Sequence, residues 1–269
     1  DLLHHFPFTP PNAMAPADST RTDRGGKTLW RTPAGAVTWS AASSPSAVAG
    51  IVRAIAISVS DANRVVFGTS TGFVYRSNAA LSSDQSTDWD LSQPRSGFLS
   101  HLAIDPSNPD IVYATYSNFL ANASQSHVYK SMDGGATWTG IDSGAGGSTG
   151  LPDIPVFTLI VDPQNMSTLY LGTDIGVFVS LDGGGAWARD DNPFANAVTE
   201  TLALDRSAGQ STLFAFTHGR GVWKVALPGS GEACQYAVSA APASFPAYGG
   251  TAAINVTTGA NCAWSALPG

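Results

Sequence analysis

Glutamate is almost missing from this chain: Glu200 and Glu232 are the only two in 269 residues, and charged residues together make up 12%. So little charge, with 43% hydrophobic residues, excludes both a disordered chain and a long helical bundle. Basic residues are scarce too. The 13 Lys and Arg against 20 Asp and Glu give a net charge of -7. No basic cluster interrupts that balance, so a nucleic-acid backbone is excluded as a partner. Only two cysteines occur, Cys234 and Cys262, with no neighbouring His or second Cys pair to complete a zinc site. A disulfide between them, formed in an oxidising compartment, is the expectation. No apolar run approaches the ~18 residues that cross a bilayer, and the longest, near residues 51–59, is broken by Arg53. Also missing are a Gly-x-Ser-x-Gly elbow, a phosphate loop, a dinucleotide fingerprint and an EF-hand, so no cofactor and no resident metal are expected. The first residue is Asp1 and not Met, which fits a processed secreted chain and an excised piece equally.

What is abundant is turn chemistry, with 28 Gly and 17 Pro. The segment HLAIDPSNPDIVYATY (residues 101–116) recurs as TLIVDPQNMSTLYLGT (158–173) and TLALDRSAGQSTLFAFT (201–217), with a weaker copy, AIAISVSDANRVVFGT, at 54–69. Each copy is an alternating apolar strand, a turn built on Asp, Pro, Ser or Asn, and a second strand rich in β-branched and aromatic residues. A third short strand follows each hairpin, at residues 72–77, 126–131, 176–180 and 221–225. Two of these run into nearly identical turns, SMDGGATW (131–138) and SLDGGGAW (180–187).

The shared pattern Ser-x-Asp-x-Gly-x-x-Trp resembles the Asp-box of BNR-repeat propellers, a family that includes sialidases, sortilin-type receptors and xyloglucanase-type glycoside hydrolases. Recurrence at about 50 residues matches one four-stranded blade. TPAGAVTW (32–39) aligns as a degenerate box with Ala34 at the Asp position, and residues 77–89 read as a box opened by an insertion. The fold expected is therefore all-β: a β-propeller of about five blades over residues 1–227, complete or part of a six- to eight-bladed ring. Residues 228–233 read as a linker. Residues 234–269 resemble the opening part of a BACON-type immunoglobulin-like β-sandwich, on the Gly249-Gly250, Val256-Thr257-Thr258 and Cys262-x-Trp264 features. In the Asp-boxes, Ser131, Asp133, Gly135 and Trp138, and Ser180, Asp182, Gly184 and Trp187, are expected to be structural: the carboxylate accepts turn N–H groups and the indole packs between sheets.

In such a blade the second-to-third and the between-blade connections share one rim, opposite the Asp-box turns, and ligands are expected there. Second-to-third connections place Thr69, Ser70, Tyr116, Asn118, Asp174, His218 and Arg220 on that rim; between-blade connections add Asp90, Arg95, Asp153, Asp190, Asp191 and Glu200. The binding candidates are Tyr116, Asn118, Asp174, His218 and Arg220. Asp174 and Asp190 are the carboxylates to consider for catalysis, which for a glycoside takes two carboxyl groups about 5 to 10 Å apart. The Arg cluster and the Tyr and Glu constellation of a sialidase are not found. Three functions stand: a secreted noncatalytic module binding a glycan or an extracellular protein, part of a polysaccharide-cleaving glycoside hydrolase, or a self-assembling surface protein. Each implies a secreted, cell-surface or periplasmic location.

Overall fold

The computed structural model describes residues 11–15, 18–32, 38–119, 125–142, 150–190, 194, 196–206, 211–227, 237–241 and 253–257. The described elements are strands apart from one 3-10 turn at Ala80–Ser82. Among the described residues no helix is long and apolar enough to cross a membrane. The chain divides into two compact units, residues 1–203 with 214–224, and residues 204–213 with 225–269.

Four antiparallel four-stranded sheets follow one another in chain order as blades of a β-propeller. The first holds β1 (Asn12–Ala15), β2 (Asp18–Gly25), β3 (Leu29–Thr32) and β4 (Ser40–Ala41). The second holds β5 (Val52–Ile57), β6 (Val65–Thr69), β7 (Val74–Ser77) and β8 (Asp90–Ser92). The third holds β9 (Leu99–Ile104), β10 (Val112–Tyr116), β11 (Val128–Ser131) and β12 (Thr139–Gly140). The fourth holds β13 (Val156–Asp162), β14 (Asn165–Thr173), β15 (Gly176–Ser180) and β16 (Ala188–Asp190). A three-stranded sheet comprises β17 (Thr199–Asp205), β18 (Ser211–Thr217) and β19 (Gly221–Leu227). In the second unit β20 (Ala237–Ala241) pairs with β21 (Ala253–Thr257). Cys234, Cys262 and residues 242–252 lie outside the described residues, as do the linker 228–233 and most of the degenerate box at 32–39.

The first strands lie side by side, β1 near β5, β5 near β9 and β9 near β13, which makes them the innermost strand of each blade. Neighbouring sheets thus meet face to face, and three cores fill the gaps. Leu29, Val52, Phe67, Tyr75 and Trp89 lie between the first two blades; Val66, Leu99, Leu102, Val112 and Tyr116 between the next two; Tyr113, Leu159, Leu171, Phe178 and Trp187 between the last two. This is why VVFGT of β6 and VYATY of β10 are buried at every position: a second strand is covered on both faces and reads as a continuous apolar run.

The tryptophan after the third strand pins each blade to the one before it. Trp89 Nε1 donates to Ala42 O, Trp138 Nε1 to Ser92 Oγ and Trp187 Nε1 to Ile141 O, each at 2.9 Å and each to a partner 46 or 47 residues upstream. The acceptor sits in or directly after the outer strand of the preceding blade. Burial of the indole and satisfaction of its N–H are therefore achieved together.

Candidate functional site

Strand direction separates two rims in each blade. The first and third strands run toward the Ser-x-Asp turns, and the second and fourth run back toward the long connections. On the turn rim, Ser131 Oγ donates to Asp133 Oδ1 at 2.7 Å and accepts from Gly135 N at 2.8 Å. Asp133 accepts from Ala136 N, Thr137 N and the Thr137 hydroxyl. Ser180 and Asp182 repeat the pattern with Gly184 N and Ala186 N. Gly134 and Gly135 both have positive φ, 71° and 94°, a succession that side-chain-bearing residues resist, so the Gly-Gly pair is required by the turn itself. Hydrogen bonds from the Thr137 side chain and backbone hold the Asp133 carboxyl well below the usual carboxylate range, and those from Ala186 N and Ser180 lower Asp182 likewise. A general acid needs the opposite displacement.

On the loop rim the candidates are dispersed. Tyr116 is fully buried, stands edge-on to Tyr129 at 5.7 Å and donates its hydroxyl to Gly72 O at 3.0 Å. Burial pushes its phenol pKa far up. It is thus part of the support of the rim and not on its surface. Asn118 Oδ1 accepts from Phe98 N, which joins two rim loops. Thr69 is buried and Ser70 Oγ accepts from Ile51 N. Asp90 opens β8 at the turn end of the blade, where it pairs with Arg76 at 3.3 Å, and so does not belong to the loop rim. Asp174 is half-buried, with its N–H on Pro155 O. Asp190 ends β16 opposite Val177, in a different connection from Asp174. Asp191 lies outside the described residues. His218 Nδ1 and Glu200 Oε1 are 3.0 Å apart, both exposed, and nearby Arg220 is exposed with its carbonyl accepting from Trp223 Nε1.

Two organising residues carry the rim. Arg95, 6% exposed, donates to the carbonyls of Ser96, Ser126 and Phe119, each at 3.1 Å, and lies over the Tyr116 ring. His127, also buried, places Nε2 3.0 Å from Asp153 Oδ1, while its backbone N–H donates to Asp142 Oδ2. Phe119 is 62% exposed, and Arg53 stacks on Phe98 at 4.5 Å. Sequence reasoning passed over His127, Phe98 and Phe119. The one available signal was the polar Ser126-His127 pair leading into the third strand VYKS.

No family model matches the chain, and no curated protein does. Similar solved structures do exist. The GH74 xyloglucanase from Xanthomonas campestris superposes with a TM-score of 0.63 at 17% identity, over 82% of this chain and 36% of that one. A Niastella koreensis GH74 enzyme gives 0.59 at 16%, over 86% and 38%. The β-propeller domain of Myceliophteria thermophila Cps50 (Swd1) gives 0.58 at 10%, over 84% and 67%. This chain spans little more than a third of the two GH74 chains. The likeness establishes the β-propeller fold.

Proposed function

We propose that this chain is a secreted, noncatalytic recognition module that binds a glycan through the loop rim of its blades. The observation that carries the reading is Arg95, whose buried guanidinium ties three carbonyls of two rim loops together and so presents Phe119 on a fixed frame. Backbone that is anchored before binding loses little entropy when a ligand arrives. The exposed group His218, Glu200 and Arg220, with Asp174, supplies polar contacts of the kind that orient a ligand. A glycan is the ligand class to test first, given the likeness to xyloglucanase propellers.

The second reading, a portion of a polysaccharide-cleaving glycoside hydrolase, draws on the same likeness. Against it, Asp153 is engaged by His127 and Glu200 by His218. Incubating the chain with xyloglucan, β-glucans and sialosides decides between the two. The expected result is binding without release of reducing ends or sialic acid; turnover lost in Asp174→Asn or Asp190→Asn with folding intact would replace the recognition module by the hydrolase.

A further inference from the structure

The first two blades carry a cleft outside the loop rim. It has a volume of about 440 Å³ and is lined by Trp30, Trp39, Ser40, Ala41, Asp84 and Gln85. That falls within the roughly 300 to 1,000 Å³ typical of small-ligand sites. Its floor is the outer edge of the first blade, β3 and β4; its wall is the long excursion of the second blade at the position where the third and fourth blades make their short Ser-x-Asp turns.

The wall is fastened at several points. Arg31 Nη1 donates to Ala80 O and to Ser83 Oγ, while its Nε is held by the buried Asp23 at 2.8 Å. Ser44 N donates to Thr87 O, and Trp89 Nε1 closes the far end on Ala42 O. Within the excursion Asp84 Oδ1 accepts from Ser86 N, Ser86 Oγ and Thr87 Oγ1. Its other oxygen is left for a ligand, and the Ser86 hydrogen bonds lower the carboxyl pKa, so the group stays charged. Exposed Gln85 brings an amide that donates and accepts.

We propose that this cleft is a second binding site, built for a short neutral saccharide. The C–H faces of a sugar ring are apolar with a slight positive edge and stack on the electron-rich faces of indoles, while its hydroxyls donate to a carboxylate and exchange hydrogen bonds with an amide. Charge on the page narrows the class. Arg24 already stands over the Trp39 ring at 5.9 Å from its centroid, where a cation from the ligand would otherwise sit, and its charge is balanced by the Asp84 carboxylate on the wall, so the cleft offers no net charge to an ionic ligand. The site goes beyond the rim reading and stands or falls separately from it.

The test is isothermal titration of the intact chain with cellotetraose and xylotetraose, with trigalacturonate as the acidic control and a glucosamine tetramer as the cationic one. The neutral sugars bind and the charged ones do not. Ser40→Arg, which fills the cleft from an exposed position, and Gln85→Ala both unfold at the wild-type temperature, and Ser40→Arg weakens binding by about tenfold or more. Leu181→Ser, at an exposed position in the Ser-x-Asp turn of the fourth blade, leaves cleft binding unchanged. The proposal is overturned if no neutral tetraose binds, if Ser40→Arg binds as the wild type does, or if the charged sugars bind better. Binding lost in His218→Ala and kept in Ser40→Arg would also overturn it, while leaving the rim function standing.

Discussion

The third and fourth blades turn into their last strand through a short loop that is closed from within; the second blade makes the same connection through a longer loop that is fastened from outside as well. In the short turns a serine and an aspartate supply the acceptors for the loop's own N–H groups, and the tip is tied by Gly134 N to Asp110 O and by Gly183 N to Ser167 O of the same blade. In the long one Asp84 closes a turn internally, and Ala80 N and Leu81 N reach Asn63 of the same blade. The first blade fastens it as well, through Arg31, which Asp23 holds and which donates to Ala80 O; Arg21, on the other side of Asp23, reaches Ala62 O in the neighbouring turn at 2.8 Å. The constraint common to both is a buried indole with a satisfied N–H. Local hydrogen bonding and long-range ion pairing therefore bring the last strand to the same place, but they differ in what a single substitution can undo.

Asp23→Ala is the largest expected effect. It leaves Arg21 and Arg31 buried without their shared carboxylate, a situation that costs roughly 3 to 5 kcal/mol. Denaturant unfolding measures the loss, and limited proteolysis should show new cleavage within residues 78–88 of the native-state protein. A variant as stable as the wild type would mean that the long loop holds itself. Next come Trp89→Phe and Trp187→Phe, which remove the indole donor together with part of a buried ring and leave a carbonyl unpaired, for about 1 to 3 kcal/mol each. Equal losses at the two sites are expected because the indole is the element the two blades share; a loss confined to one would break the comparison.

Asp133→Ala follows, at roughly 1 kcal/mol, since the groups it releases reach water at the surface. Its pH signature has a defined sign. The folded pKa is depressed, so the contribution is fully present above the unfolded carboxylate value of about 4 and is lost as the pH falls from there through the folded pKa. An acid titration of stability should thus be flatter in Asp133→Ala than in the wild type below that value. His101 adds to acid sensitivity by another route. Burial lowers its folded pKa to about 4, so protons bind the unfolded chain preferentially as the pH drops below 6.5, and stability declines over that interval.

The same contrast explains what could be read in advance. Residues 131–138 and 180–187 encode their turns locally, in serine, aspartate and paired glycines, so the blade register was legible from spacing alone. The first blade carries no such code over its described residues, yet β1 to β4 form a complete sheet, and the Asp23 network that fastens it joins residues 8 and 49 positions apart along the chain. Nothing in the local pattern announces a partner at that distance. The rim suffers from the same limit. Tyr116 and Asn118 share one connection, but what each does depends on Arg95 and Phe98 from another loop: Tyr116 is buried as a support, while the exposed Asn118 accepts from Phe98 N.

The smallest effect is expected where a charged pair looks most like the largest. His218 and Glu200 approach to 3.0 Å, against 3.1 Å for Arg21 and Asp23, but their side chains are 76% and 58% exposed where the others are 3% and 0%. Water already solvates both members, so separating them gains back nearly what it loses. His218→Ala and Glu200→Gln should each change unfolding stability by less than about 0.5 kcal/mol, and rising salt should reduce even that. Distance would predict the same cost at both pairs, and burial predicts a large gap between them. Measuring all the variants under one set of conditions tests that directly. A loss at His218 comparable to that of Asp23→Ala would show that the exposed pair carries structure. If stability holds, any fall in glycan binding by His218→Ala reads as a lost contact and not as a loosened rim.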